Sequence, residues 1–410
     1  MRNNYLFFLI IIWALSGCSS NKMADWPQWR GPDVNCISPD TSLDINKLDS
    51  AHIVWTKDIG FGHSAIIVKG DKCFVSGWKE TSDEAGTLQQ TTIACINVED
   101  GNEVWHFNYS SGKHRFPGPR STPIINHDKL YSVSWEGKVF CLNANNGEEI
   151  WTLDLAADSL AVWDTWGFNV SPVIYDNLLL LNLNKTGMAL NKNTGEIIWS
   201  GKYGISSWSS VYLMELEGKT YGIFSADTSF YLVNVENGQV ESGKRRQLDW
   251  TVNDDVTWLP GNCIYTGNEL YRLTGNSFEQ IWANDSIGSF FRTGVVLGNY
   301  SFQFSDVKMK NFLDCVNLET GKLVWRQKLV GRYGNLIAVG NYLVILETFG
   351  KVIIAEANHE KYVPLKELQI LSAENKQEYF CWAAPTFVNG RLFIRNSKGE
   401  MACIDLSLKN

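Results

Sequence analysis

The stretch "ACINVEDGNEVW" (residues 94–105) sets a cysteine, an acidic cluster, a glycine and a tryptophan within twelve positions. A catalytic or metal-binding motif occurs once in a chain, whereas a building block recurs. This one recurs. It returns as "FCLNANNGEEIW" (140–151), "MALNKNTGEIIW" (188–199) and "DCVNLETGKLVW" (314–325). Weaker copies are "YLVNVENGQVES" (231–242), "YRLTGNSFEQIW" (271–282) and the degenerate "IIAEANHEKYVP" (353–364). A half copy, "MACIDLSLKN" (401–410), runs to the last residue. Successive full copies stand 39 to 48 residues apart, a spacing that marks a repeat architecture.

Each unit reads as β-structure. "VFCLNA" and "EIWTLD" are short apolar or alternating runs suited to strands. The Asn- and Asp-rich segment ending in Gly between them is hairpin chemistry: the side chain folds back on the backbone and Gly takes the left-handed conformation without a Cβ clash. Two further strand-like runs lie upstream, as in "STPIINHDKLYSVSWEGKVF" (121–140). Four strands in about 44 residues make one propeller blade. At the N-terminal end, "HIVWTKDIG" (52–60) has Trp55 but no hairpin before it, while "ACIDLSL" at the other end lacks a following strand. The N-terminal strand is therefore expected to complete the last blade and close the ring. The span from Trp55 to Asn410 holds close to eight periods. The expected fold is all-β, an eight-bladed propeller of four-stranded blades over residues 52–410, with seven blades as the fallback.

The units resemble the pyrroloquinoline-quinone (PQQ) type propeller repeat, whose consensus reads roughly Ala-x-Asp-x-x-Thr-Gly-x-x-x-Trp. "ALNKNTGEIIW" and "CVNLETGKLVW" match it apart from Asn for Asp and Cys for Ala. The resemblance implies that Trp55, Trp105, Trp151, Trp199, Trp282 and Trp325 pack between neighbouring blades. Cys95, Cys141, Cys315 and Cys403 stand where the family has Ala, so they read as small apolar packing residues.

The N-terminus, "MRNNYLFFLIIIWALSGCSS", has a basic start at Arg2, an apolar core over 5–15 and small residues after it. That is a secretory signal, short for a transmembrane span. "LSGC" (15–18) resembles the bacterial lipobox, which implies cleavage of residues 1–17 and lipidation of Cys18. Several acyl chains on one cysteine give stable anchoring. Ser19 and Ser20 follow, with neither an Asp after the cysteine nor an acidic run; the expected location is the outer membrane, facing the periplasm. Loss of Arg2 shifts the formal charge from −8 to −9, so long-range attraction to nucleic acid is not expected. Residues 18–51 read as a spacer and lead-in. They contain "DWPQWRGP" (25–32), which resembles a segment found before such propellers in secreted bacterial proteins. Its two tryptophans and two prolines suit a segment docked on the propeller.

Catalytic motifs are sparse. There is no C-x-x-C, no H-E-x-x-H and no G-x-S-x-G, so redox-pair, zincin and nucleophile-elbow chemistry are not indicated. "GFGHSA" (60–65) mimics a dinucleotide fingerprint but joins an outer strand to an inner one, without a βαβ unit. The informative places are the loops that lead into the innermost strands, which share one face around the central channel. They offer Arg120, Arg292 and Arg332 as anion donors, Trp166, Trp208 and Trp382 as stacking surfaces, and Asn169, Asp254 and Asp255 as polar groups. A bland reading competes: aromatics plug the mouth and arginines satisfy loop carbonyls.

Three functions fit. A PQQ-dependent dehydrogenase would use the arginines, a tryptophan floor and calcium near Asp254 or Asp255. The chain lacks the adjacent Cys-Cys pair of the catalytic members, and no cofactor or metal is expected. A scaffold is the second: the BamB family of the outer-membrane β-barrel assembly machinery comprises lipoproteins of similar length, anchor and blade count. A glycan-binding or polymer-binding module is the third. The expectation is an anchored, non-enzymatic propeller whose partners are other envelope proteins.

Overall fold

The computed structural model describes residues 23–408 apart from 84–85, 158–166, 184, 203–206, 227, 248–254, 289–293, 308–309, 332–333 and 375. Its strands form eight four-stranded antiparallel sheets, each meandering from an innermost to an outermost strand. The first blade is typical: Ile67–Lys69, Lys72–Asp83, Gly86–Asn97 and Glu103–Ser110 pair in chain order. The eighth is composite. Thr386–Val388, Arg391–Arg395 and Glu400–Asp405 supply three strands, and Ile53–Asp58 adds the outermost, with Trp55 opposite Cys403. The protein is an eight-bladed propeller closed by its N-terminal strand.

The recurring twelve-residue unit is the hairpin between the third and fourth strands of a blade. Its Asn stands four residues before the Gly. In the first blade Asn97 Oδ1 accepts from Glu99 N at 2.8 Å, and its carbonyl accepts from Gly101 N at 3.0 Å. Asn143, Asn191 and Asn234 repeat both bonds. This internal satisfaction is why the turn tolerates almost any residue between the two.

The repeat tryptophan sits on the outermost strand and reaches the next blade. Trp105 Nε1 donates to Ala144 O at 3.0 Å and Trp199 Nε1 to Val235 O at 2.7 Å; Trp55, Trp151, Trp282 and Trp325 make the corresponding bond. In all of these but Trp325 the indole also covers the next blade's turn glycine. Gly147 has φ +77°, and a Cβ there would lie 2.6 Å from the Trp105 ring. Glycine is required twice over, by backbone conformation and by ring contact. Cys95, Cys141, Cys315 and Cys403 are fully buried beneath these indoles' strands, as apolar packing residues are. All eight described cysteines are free thiols.

Where the repeat decays, other packing takes over. Ser242 replaces the tryptophan in the fourth blade. At that seam Phe230 meets Tyr271 and Phe278 edge to face, at 5.2 and 4.9 Å, geometries that suit the aromatic quadrupole.

Residues 24–44 cross the central channel. Trp26 exchanges two backbone hydrogen bonds with Val68 on the innermost strand of the first blade, and Pro27 O accepts from Ile125 N of the second. Arg30 reaches the fifth blade, diametrically opposite the first, donating to Val256 O and Thr257 Oγ1. Cys36 and Ser38 bracket Ala338 of the seventh, and Ser38 Oγ donates to Phe387 O of the eighth. Contacts on opposite sides of the ring require the segment to plug the channel. Arg30, Val34 and Cys36 take left-handed φ of 65°, 53° and 60°, strain that persists only where the surroundings over-determine the backbone.

Ring closure carries an ionic tie. Asp405 of the eighth blade meets Arg391 Nη1 at 2.7 Å and the lead-in's Lys47 Nζ at 3.7 Å, and Arg391 also reaches Glu99 of the first blade at 2.9 Å. Burial works to raise the Asp405 carboxyl, but bonds from Ser407 and then Arg391 outweigh it and hold the group at about 2. A carboxylate lowered on folding stabilises fully above its unfolded value near 3.9, and loses that contribution as pH falls toward about 2. Asp405→Asn should therefore cost about 1–2 kcal/mol at pH 7, and thermal midpoints of variant and parent should converge at pH 2. A gap that persisted in acid would rule out the ionic origin.

Candidate functional site

The loops leading into the innermost strands surround a cavity of about 1040 Å³ that runs from the channel mouth over the first and eighth blades to the rim. The plug supplies its floor. Trp29 lines the cavity and its Nε1 donates to Asp255 Oδ2 at 2.5 Å, while Asp255 Oδ1 accepts from Ser210 N at 2.6 Å. Asp255 is buried beside Arg30. Burial pushes its carboxyl up, and the Arg30 charge with the Trp29 and Ser210 bonds pulls it back down.

Five of the nine loop residues singled out from the sequence line this one cavity: Arg120, Asn169, Trp208, Asp255 and Trp382. Trp166, Asp254, Arg292 and Arg332 lie outside the described residues, as does Cys18. Arg120 is partly committed, donating to Phe116 O at 3.2 Å. Asp255 serves as an anchor for the plug, an assignment the loop sequence alone does not contain.

Other members were missed. Trp29 is more than two hundred residues from Asp255 in sequence, and no loop pattern could place it. His63 belongs to the "FGHSA" loop, and its ring stands edge-on to Trp382 at 6.1 Å. Toward the rim, Phe61 and Phe116 add aromatic surface, and Lys113, Arg115, Lys376 and Lys398 add charge. The first blade's second and third strands are twelve residues each, and Lys79, Glu80 and Thr81 of the second extend the wall of the groove. Beneath the wall Arg395 is fully buried, donating to Ser76 O at 2.8 Å and Gly60 O at 3.2 Å, which ties the eighth blade to the first. Burial lowers its guanidinium to about 9, still cationic at neutral pH.

A family described as "Outer membrane protein assembly factor BamB" matches residues 89–256. These residues hold three of the four closest hairpin units and the Trp–Gly seams that join the first four blades. The chain is a PQQ-like β-propeller. The quinoprotein alcohol dehydrogenase PedH of Pseudomonas putida is 29% identical over 155 residues, 35% of this chain and 25% of the dehydrogenase. The chain thus spans about a quarter of that relative's length. Among solved structures, BamB from Moraxella catarrhalis superposes with a TM-score of 0.62 at 14% identity, covering 87% of this chain and 98% of that one. Quinohemoprotein alcohol dehydrogenase from Comamonas testosteroni gives 0.68 at 12% identity, covering 94% and 81%. Both likenesses are of fold.

The donor set can be tested against calcium-assisted quinone binding. A cation needs convergent oxygens, whereas both Asp255 oxygens accept N–H bonds and a guanidinium sits beside them. Among the described residues no three His, Cys, Asp or Glu side chains converge. The described part of this PQQ-like propeller's cavity suits an aromatic or anionic ligand, but Asp255 does not fit the role of calcium ligand.

Proposed function

We propose that this protein is a membrane-anchored, non-catalytic scaffold of the bacterial envelope that binds other envelope proteins, with outer-membrane protein assembly as its specific role. The observation that carries this reading is the outer edge of the ring. Each blade ends in a strand whose outer edge has no partner within its sheet. In six blades the residue before the repeat tryptophan is an exposed aliphatic: Val54, Val104, Ile150, Ile198, Ile281 or Val324. Unpaired edges are templates for strand addition, and apolar side chains placed along them favour a protein partner. The BamB match, which spans Val104, Ile150 and Ile198, supports the same direction. Lipidation at Cys18 would hold the ring at the outer membrane, facing the periplasm.

A photoreactive residue at Ile150 or Ile198 tests this in intact cells. Both positions should crosslink one discrete envelope protein, and Cys18→Ala should move the chain to the soluble fraction and cut the yield at least tenfold. Absence of crosslinks, or crosslinks to this chain alone, would refute the scaffold. A second reading, a quinoprotein dehydrogenase-like activity, is favoured by the PedH match and opposed by the engaged Asp255.

A further inference from the structure

The cavity combines three chemistries. The first is aromatic: Trp29, Trp208 and Trp382 near the channel mouth, with Phe61 and Phe116 toward the rim, are half-buried and line the space. The second is charge. The chain as a whole carries −8, yet Lys79, Lys113, Arg115, Arg120, Lys376 and Lys398 line the groove. Four acids line it too, Asp58, Glu80, Asp255 and Glu378, so the six cations are in excess; Asp255 holds the plug, Glu80 pairs with Lys113 at 3.2 Å and Asp58 with Lys79 at 3.7 Å.

The third is a proton acceptor. Ser397 Oγ donates its only proton to Phe380 O at 2.7 Å. At 3.0 Å from His63 Nδ1 it must therefore accept, which places the ring proton on Nδ1. Burial, then the charges of Arg120 and Arg395, hold this imidazole well below its ordinary value, so it is neutral at pH 7. His63 Nε2 is left as a buried lone pair with no partner among the described residues. Buried acceptors are ordinarily satisfied, and a bare phosphate or carboxylate brings no proton to this one. A hydroxyl does.

We propose that this groove binds an acidic oligosaccharide, with sugar rings against the indoles, carboxylates at the Lys113–Arg115 rim and a ring hydroxyl donating to His63 Nε2. Each sugar ring offers a flat C–H face, a set of hydroxyl donors and, in a uronic acid, a carboxylate, which matches all three chemistries in one repeating unit. A peptide offers a flat face only where it carries an aromatic side chain. Cavities that combine aromatic walls with a few placed polar groups are the usual form of a ligand site, and charge-assisted bonds from Lys and Arg select acids. The assignment goes beyond the scaffold reading and does not depend on it.

The test is a titration of the full-length chain in detergent, read by tryptophan fluorescence. Four probes are used: tetragalacturonic acid, neutral maltotetraose, an octapeptide of alternating Glu and Tyr, and PQQ with calcium. Tetragalacturonic acid alone should give saturable quenching. Lys113→Ala with Arg115→Ala, both exposed in the parent, should weaken it at least tenfold without shifting the thermal midpoint. Trp208→Ala and His63→Phe should each weaken it about fivefold or more. Equal binding of maltotetraose would overturn the acidic assignment, and preference for the peptide or for PQQ would overturn the saccharide. No saturable response to any probe, or undiminished binding by the rim variant, would remove the site. Outer-strand crosslinking would be unaffected by either result, so the two readings fail separately.

Discussion

Trp105→Ala is expected to destabilise the propeller by roughly 3–5 kcal/mol, the range for truncating a large buried aromatic. The residue is 8% exposed, packs 5.9 Å from Phe74 and covers the Gly147 turn of the next blade. Removing it opens a cavity at a seam between two blades and strips the Ala144 carbonyl of its indole donor. Neighbouring blades touch mainly through such seams, so the loss is not absorbed by flexing one sheet. Ser242 provides the control. It holds the same register position with no tryptophan to lose, and Ser242→Ala should stay within about 0.5 kcal/mol. Thermal midpoints measured side by side decide the matter: equal midpoints for the two variants would show that the indoles are incidental to the ring.

The second large effect concerns the plug. Arg30→Ala should cost about 3–5 kcal/mol, because it removes buried bonds to Val256 O and Thr257 Oγ1 together with a positive charge that offsets the burial of Asp255. Arg30 is 1% exposed and Asp255 is 7% exposed. The sign follows from the carboxyl: with Arg30 gone, burial raises Asp255 against the Trp29 and Ser210 bonds without the Arg30 charge, so the variant pays to keep the carboxylate charged at pH 7. Arg30→Ala combined with Asp255→Asn should therefore be less destabilised than Arg30→Ala alone, a coupling that a double-mutant cycle reads directly. Limited proteolysis should also cut the single variant within residues 24–44 faster than the parent. Additive effects in the cycle would mean that Arg30 and Asp255 act independently. The Trp29 floor depends on the same anchor, since Asp255 accepts the Trp29 indole proton and lies beside Arg30.

The blade count and the closing strand were legible in the sequence because each blade must repeat one hairpin solution. Asn97 and its counterparts cap their own turn, and Trp55, Trp105, Trp151, Trp199 and Trp282 each cover a glycine in the next blade. Both constraints act on residues a fixed distance apart, so they leave a period. The decayed units were less legible. At Ser242 the seam is held by Phe230, Tyr271 and Phe278, whose only sequence signature is ordinary strand alternation. The cavity was half legible. Arg120, Asn169, Trp208, Asp255 and Trp382 could be named as loop residues on one face, since topology sends every such loop to the same end of the channel. Their roles could not. The loop holding Asp255 reads as a calcium candidate or a turn, and becomes a plug anchor only when Trp29 and Arg30 arrive from the far end of the chain.

By itself, then, the sequence determined a ring of eight four-stranded sheets, its closure by the first strand, and the face on which loops converge. These are properties of local turn chemistry and of contacts between successive repeats, which a linear pattern records. Only the tertiary structure decided that residues 24–44 cross the channel, that Trp29 floors the cavity, that the proton of His63 sits on Nδ1, and that the groove is basic in an acidic chain. Each of those depends on side chains brought together from distant blades, by packing and desolvation that have no period to leave behind.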